Sequence, residues 1–131
     1  MRDDRVGLSF IMRWLLLGCG PMNAAGAVVF APPFPDARRA MGLAEPHPFY
    51  LWLLSAWILA FGVAFFVQGL TRRGNRAVLL LAAWGKGTFA ALLLGLVATG
   101  ELLPFAVTAA VPDLILAVVF AVWVWRSRPK G

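Results

Sequence analysis

Four long apolar runs, separated by short polar connections, dictate where this chain can fold. They extend roughly from Trp14 to Ala31, from Pro48 to Leu70, from Ala77 to Ala98 and from Leu102 to Trp125. An α-helix rises about 1.5 Å per residue, so about 20 predominantly apolar residues, with a range of about 17–25, cross a hydrocarbon core roughly 30 Å thick. Each run is long enough to be one such span. The rest is the stub MRDDRVGLSFIM, the connection PPFPDARRAMGLAEPHP, the turns TRRGNR and TGE, and the tail RSRPKG. None of these pieces is long enough for a soluble domain. Composition points the same way: 61% of the residues are hydrophobic and 14% charged, against about 45–50% and about 25% in ordinary soluble domains. The expected architecture is an all-α membrane protein, a single four-transmembrane-helix bundle over residues 1–131.

The chain carries twelve Lys and Arg residues against six Asp and Glu. A nucleic-acid-binding protein would gather such an excess on a soluble face. Here the basic residues sit between apolar runs, which argues against nucleic acid as a partner and makes them markers of orientation. Short flanking loops rich in Lys and Arg stay in the cytoplasm. Arg2, Arg5, Arg13, Arg72, Arg73, Arg76, Arg126, Arg128 and Lys130 fall on one side, whereas only Arg38 and Arg39 fall on the other, and the last turn has no basic residue and contains Glu101. Both termini are therefore expected to be cytoplasmic. Trp14, Trp123 and Trp125 then mark the inner interface and Phe49, Tyr50 and Trp52 the outer one, where amphipathic rings prefer to lie.

Cys19 is the only cysteine and His47 the only histidine. A disulfide framework and a haem held by two histidines are thereby excluded, a His/Cys metal centre is not expected, and neither is a cofactor. Leu16-Leu17-Gly18-Cys19 has the form of a lipoprotein cleavage box, but the apolar stretch of a signal is about 7–15 residues long. Arg13 leaves only five residues before Cys19, and the apolar run continues past it to Ala31. Cys19 thus reads as a small residue inside a packed, uncleaved helix.

Chemistry in a membrane chain is sought first at intramembrane charges, which are costly and face a bundle interior or a cavity. Lys86 lies near the middle of the third run and Asp113 near the middle of the fourth, and the short turn between the runs makes them a hairpin. Equal depth predicts an intramembrane ion pair, because a close pair lets both groups stay charged. Such a pair can simply fix helix register, or it can serve a pocket. Pro112, next to the acid, cannot donate to the Thr108 carbonyl four residues back, which would leave an acceptor nearby. Ala106, Ala110, Asp113, Ala117 and Ala121 form one stripe at helical spacing, and Ala82, Lys86 and Ala90 form another, flanked by Gly85 and Gly87. Ser55, Gly62 and Gly69 recur every seven residues on the second run and suggest a further close seam.

Asn23 follows the broken stretch Gly18-Cys19-Gly20-Pro21 and can either clamp a neighbouring helix or extend the ion pair into a pocket together with Ser55, Thr88 and Thr108. The first external connection, with Pro32-Pro33-Phe34-Pro35 and Glu45-Pro46-His47-Pro48, is expected to be stiffened by prolines that exclude regular helix and to lid such a pocket. His47 and Glu45 are the candidate lid residues. An acid–base role for them is weaker than that of ordinary surface residues.

His47-Pro48-Phe49-Tyr50-Leu51-Trp52-Leu53-Leu54, Gly85-Lys86-Gly87, Gly100-Glu101-Leu102-Leu103-Pro104 and Asp113-Leu114 together resemble a group of small bacterial four-helix membrane proteins of unassigned function, DoxX-like in layout. The resemblance runs from about Asn23 to Trp125. It implies a multi-pass protein of the bacterial inner membrane and, as in DoxX-type proteins, a membrane subunit linked to quinone-dependent redox chemistry. The function expected from these readings is a non-enzymatic accessory or small-amphiphile-binding protein with a polar pocket around Lys86 and Asp113. Its partners would be the lipid bilayer, a small amphiphile or quinone, and a larger membrane complex or a homo-oligomer. The alternative is an oligomeric proton-coupled small transporter in which Asp113 titrates.

Overall fold

The structure, a computed structural model, describes residues 5–128; Arg2 and Lys130, counted above among the flanking charges, lie outside them. The chain is predominantly helical. A short strand β1 (Arg5–Gly7) is followed by α1 (Phe10–Phe30), a short α2 (Asp36–Met41), α3 (Pro48–Thr71), a strand β2 (Arg73–Asn75), α4 (Arg76–Ala98), a single 3-10 turn (Pro104–Ala106) and α5 (Val107–Arg126). The two strands pair as a small sheet. Three helical stretches, Pro48–Thr71, Arg76–Ala98 and Pro104–Arg126, are long and apolar enough to cross a membrane. With 21 residues, α1 has the length, but Arg13, Asn23 and the Gly18–Pro21 stretch dilute its apolar character.

The helices form two compact units, one built on α1 and α3 and the other on α4 and α5. In the first, the seam is made by small residues. Ser55 Oγ donates to the Ala27 carbonyl at 2.6 Å, and Asn23 Nδ2 donates to the Ile58 carbonyl at 2.9 Å. Gly62 and Gly69 allow the close approach: a Cβ at Gly62 would lie 2.7 Å from Asn23 Cβ, and one at Gly69 2.7 Å from Leu17 Cγ. Asn23 therefore clamps α3, and the seven-residue recurrence on α3 is the contact face toward α1. Cys19 is buried within α1.

In the second unit, α4 ends where Gly100, at φ +80°, adopts the left-handed conformation that glycine takes without steric cost. The Gly100 N–H then donates to the Val97 carbonyl and the Glu101 N–H to that of Leu96, at 3.1 and 2.8 Å, satisfying carbonyls that the helix end leaves open. Ala82 and Ala90 of α4 are buried, as are Ala106, which caps α5, and Ala110 and Ala117 along it. Ala121 is not: it is exposed, and Phe120 and Val124 take the buried places. Two consecutive steps of four overshoot the 3.6-residue turn, whereas a step of three from Ala117 restores the face. Gly85 and Gly87 are not what brings the helices together. A Cβ at Gly85 would meet nothing within 4 Å, and one at Gly87 would make an ordinary 3.7 Å contact with Ala117.

Both units close one end with the same device. Arg13 Nε donates to the Gly69 carbonyl near the end of α3 at 3.2 Å, and Arg76 Nη2 donates to the Val124 carbonyl near the end of α5 at 3.3 Å. Helix C-termini carry partial negative charge and unpaired carbonyls, so a cation there satisfies both.

The connection between α1 and α3 departs from the sequence expectation. Its prolines do not exclude regular helix, because they bracket α2 rather than interrupt it: Pro35 precedes the first helical residue, Asp36, and the next proline is Pro46. Proline is tolerated at a helix start, where the N–H has no intrahelical acceptor.

Candidate functional site

Lys86 sits ten residues into the 23-residue α4 and Asp113 six residues beyond the start of the 20-residue α5. The hairpin brings them together: Lys86 Nζ donates to Asp113 Oδ1 at 2.6 Å, with the side chains 10% and 19% exposed. A charge-assisted bond of this length is among the stronger polar contacts available to a protein. Buried alanines on both helices allow the two side chains to meet. The second carboxylate oxygen, Asp113 Oδ2, makes no hydrogen bond among the described residues, so the acid keeps acceptor capacity beyond its salt bridge.

The remaining pocket candidates are distributed between the two helix pairs. Asn23 and Ser55 belong to the α1–α3 seam and are engaged by backbone carbonyls there. Thr88 on α4 is exposed, as is Thr108 on α5, whose hydroxyl donates to the Phe105 carbonyl at 2.7 Å. In the connection, His47 and Glu45 are engaged separately. His47 caps α3, its Nδ1 accepting from the Phe49 N–H at 3.2 Å, whereas Glu45 is held by Arg38.

Arg38 is the residue that sequence reasoning missed. Counted only as an external charge, it is 1% exposed. Its Nε and Nη2 engage the two oxygens of Glu45 at 3.3 and 3.1 Å. Nη1 donates to the carbonyls of Val29, Ala31 and Phe34 at 2.9, 2.7 and 3.1 Å, and Nη2 reaches that of Pro32 at 3.4 Å. The guanidinium thus gathers carbonyls around the end of α1 and balances its charge with one carboxylate. The planar five-donor fork makes such a cage possible, where an ammonium would supply only a point charge and three donors. Two signals in the sequence pointed to it: a helix C-terminus just upstream that favours a cation, and an acid in the same short connection.

Compared with known proteins, the chain matches no protein-family model, no curated protein and no solved structure.

Proposed function

We propose that this chain is a four-span protein of the bacterial inner membrane, DoxX-like in layout, with both termini cytoplasmic, and that the Lys86–Asp113 pair forms the polar centre of a site for a small amphiphile or an accessory contact within a larger membrane assembly. Counting α1 as the fourth span is supported by its packing along α3, which is itself long and apolar enough to span. Its least membrane-like residue, Asn23, is satisfied by the Ile58 carbonyl, and that lowers the cost of placing it in lipid. A C-terminal alkaline phosphatase fusion should be inactive and a fluorescent-protein fusion bright; the reverse pattern would overturn the orientation.

The observation that carries the functional reading is the half-used carboxylate. Asp113 gives one oxygen to Lys86 and keeps the other for a donor on a ligand headgroup, at a depth where polar groups are scarce. A proton-coupled transporter would use the same free oxygen to gain and lose a proton, with access from each side in turn. Proteoliposomes separate the two. An imposed pH gradient should drive no proton-linked flux, and Asp113→Asn should change the lipids and quinones retained on purification, as read by mass spectrometry. Flux in the wild type that vanishes in a folded Asp113→Asn protein would replace the binding reading with the transporter.

A further inference from the structure

The described acids take up only some of the cations. Glu45 holds Arg38, Asp36 lies 3.7 Å from Arg39, and Asp113 holds Lys86. At the opposite end of the α1–α3 pair from Arg38, three arginines have no carboxylate partner among the described residues. Arg13 uses its Nε on the Gly69 carbonyl, and its guanidinium lies 5.5 Å from the centre of the Trp14 ring. Those two contacts fix its plane and leave its Nη groups without a partner among the described residues. Arg72 terminates α3 in the left-handed conformation, at φ 58°, and Arg73 follows it; both are exposed, and neither side chain has a hydrogen bond or ion pair among the described residues. The Leu8 N–H donates to the Arg72 carbonyl at 3.2 Å, which ties the start of α1 to the end of α3, and Arg13 reaches the Gly69 carbonyl three residues before Arg72, so all three arginines belong to this end of the pair.

Beside these cations lies apolar surface that nothing in the unit covers. Phe10 is 76% exposed and Trp14 55%, their rings in edge-to-face contact with centroids 6.2 Å apart. Aromatic rings at such a position sit at headgroup level, and arginine forks match a phosphate bidentately. We propose that Arg13, Arg72 and Arg73 form a binding site for the phosphate of an anionic phospholipid, whose acyl chains run along Phe10 and Trp14. The site offers three cations to one phosphodiester anion, and the orienting contacts of Arg13 distinguish it from a diffuse basic surface. The proposal requires α3 to lie in the bilayer and is independent of any role for Lys86 and Asp113.

The test is native mass spectrometry on the full chain released from bilayers of equal phosphatidylglycerol and phosphatidylcholine. The wild type should retain phosphatidylglycerol over phosphatidylcholine by roughly tenfold or more, each arginine near an anionic lipid contributing about fivefold. R13Q/R72Q/R73Q should abolish the preference. Should that variant fail to fold, R72Q/R73Q leaves the Arg13–Gly69 contact in place and should still lose most of the preference. R126Q/R128Q, which removes exposed charge elsewhere, should retain it. Equal loss in R126Q/R128Q would reduce the effect to bulk charge and overturn the site. Displacement of the lipid by millimolar inorganic phosphate would assign the arginines to a free anion instead. Absence of any lipid preference in the wild type would leave them for an acidic protein partner and likewise overturn the proposal.

Discussion

Replacing Lys86 by Met, or Asp113 by Leu, is expected to destabilise the α4–α5 pair by about 3–5 kcal/mol, because each change leaves the other charge buried without its partner. The double substitution is expected to recover most of that loss. Neither apolar side chain needs a counter-charge, Met nearly matches Lys in volume, the bulkier Leu replaces an acid that is 19% exposed, and replacing a whole buried ion pair is often neutral or better. Unfolding of the purified protein in mixed micelles, followed by tryptophan fluorescence, gives the four corners of the cycle. Losses that simply add would mean that the 2.6 Å contact contributes nothing beyond its two separate residues. A recovered double variant has a further use. If it folds well yet loses lipids or quinones that the wild type retains on purification, the pair is kept for function at no benefit to stability.

Arg38→Gln is expected to be the other severe change, costing about 3–5 kcal/mol in the α1–α3 pair, mainly because a buried carbonyl left without its donor costs about 1–3 kcal/mol. The loss has two parts: Glu45 loses its counter-charge, and the carbonyls of Val29, Ala31 and Phe34 lose a common donor. Arg38→Lys should rescue only part of it, since one ammonium cannot serve both the carboxylate and the carbonyls in their present places. Glu45→Gln should cost less, about 1–2 kcal/mol, because Arg38 keeps its carbonyl acceptors and the side chain of Glu45 is 41% exposed. Thermal unfolding, paired with limited proteolysis of the segment 32–47, reads both. A change under about 0.5 kcal/mol for Arg38→Gln, the range of an ordinary surface substitution, would show that the cage is incidental.

Helix positions were legible because an apolar run must be helical in lipid and ends where polar residues begin. The second and third runs, expected at 48–70 and 77–98, correspond to Pro48–Thr71 and Arg76–Ala98. Starts defined by caps were harder to place. α1 begins four residues before Trp14 because Ser9 accepts from the Met12 N–H, a local bond that hydropathy does not register. The fourth run begins in a 3-10 turn at Pro104 before α5 takes over at Val107.

The site was legible to the extent that it depended on depth alone. Lys86 and Asp113 were paired from their positions along two adjacent helices, and Ser55, Gly62 and Gly69 from their spacing. Arg38 was not, since its partners come from a helix end, a loop and a six-residue helix. A helix that short shows no periodicity to read. Arg13 and Arg76 were likewise counted as orienting charges, although each also seals a helix end.

The lysine and the aspartate of the central pair are 27 residues apart along the chain. At roughly 5–20 residues per second, a ribosome adds Asp113 on the order of one to five seconds after Lys86. During that interval the lysine is already part of a nascent apolar segment with no acid to meet it. Until the next helix is made the lysine has no carboxylate to balance it, so the pairing that α4 shows in the folded structure waits on the helix that follows it.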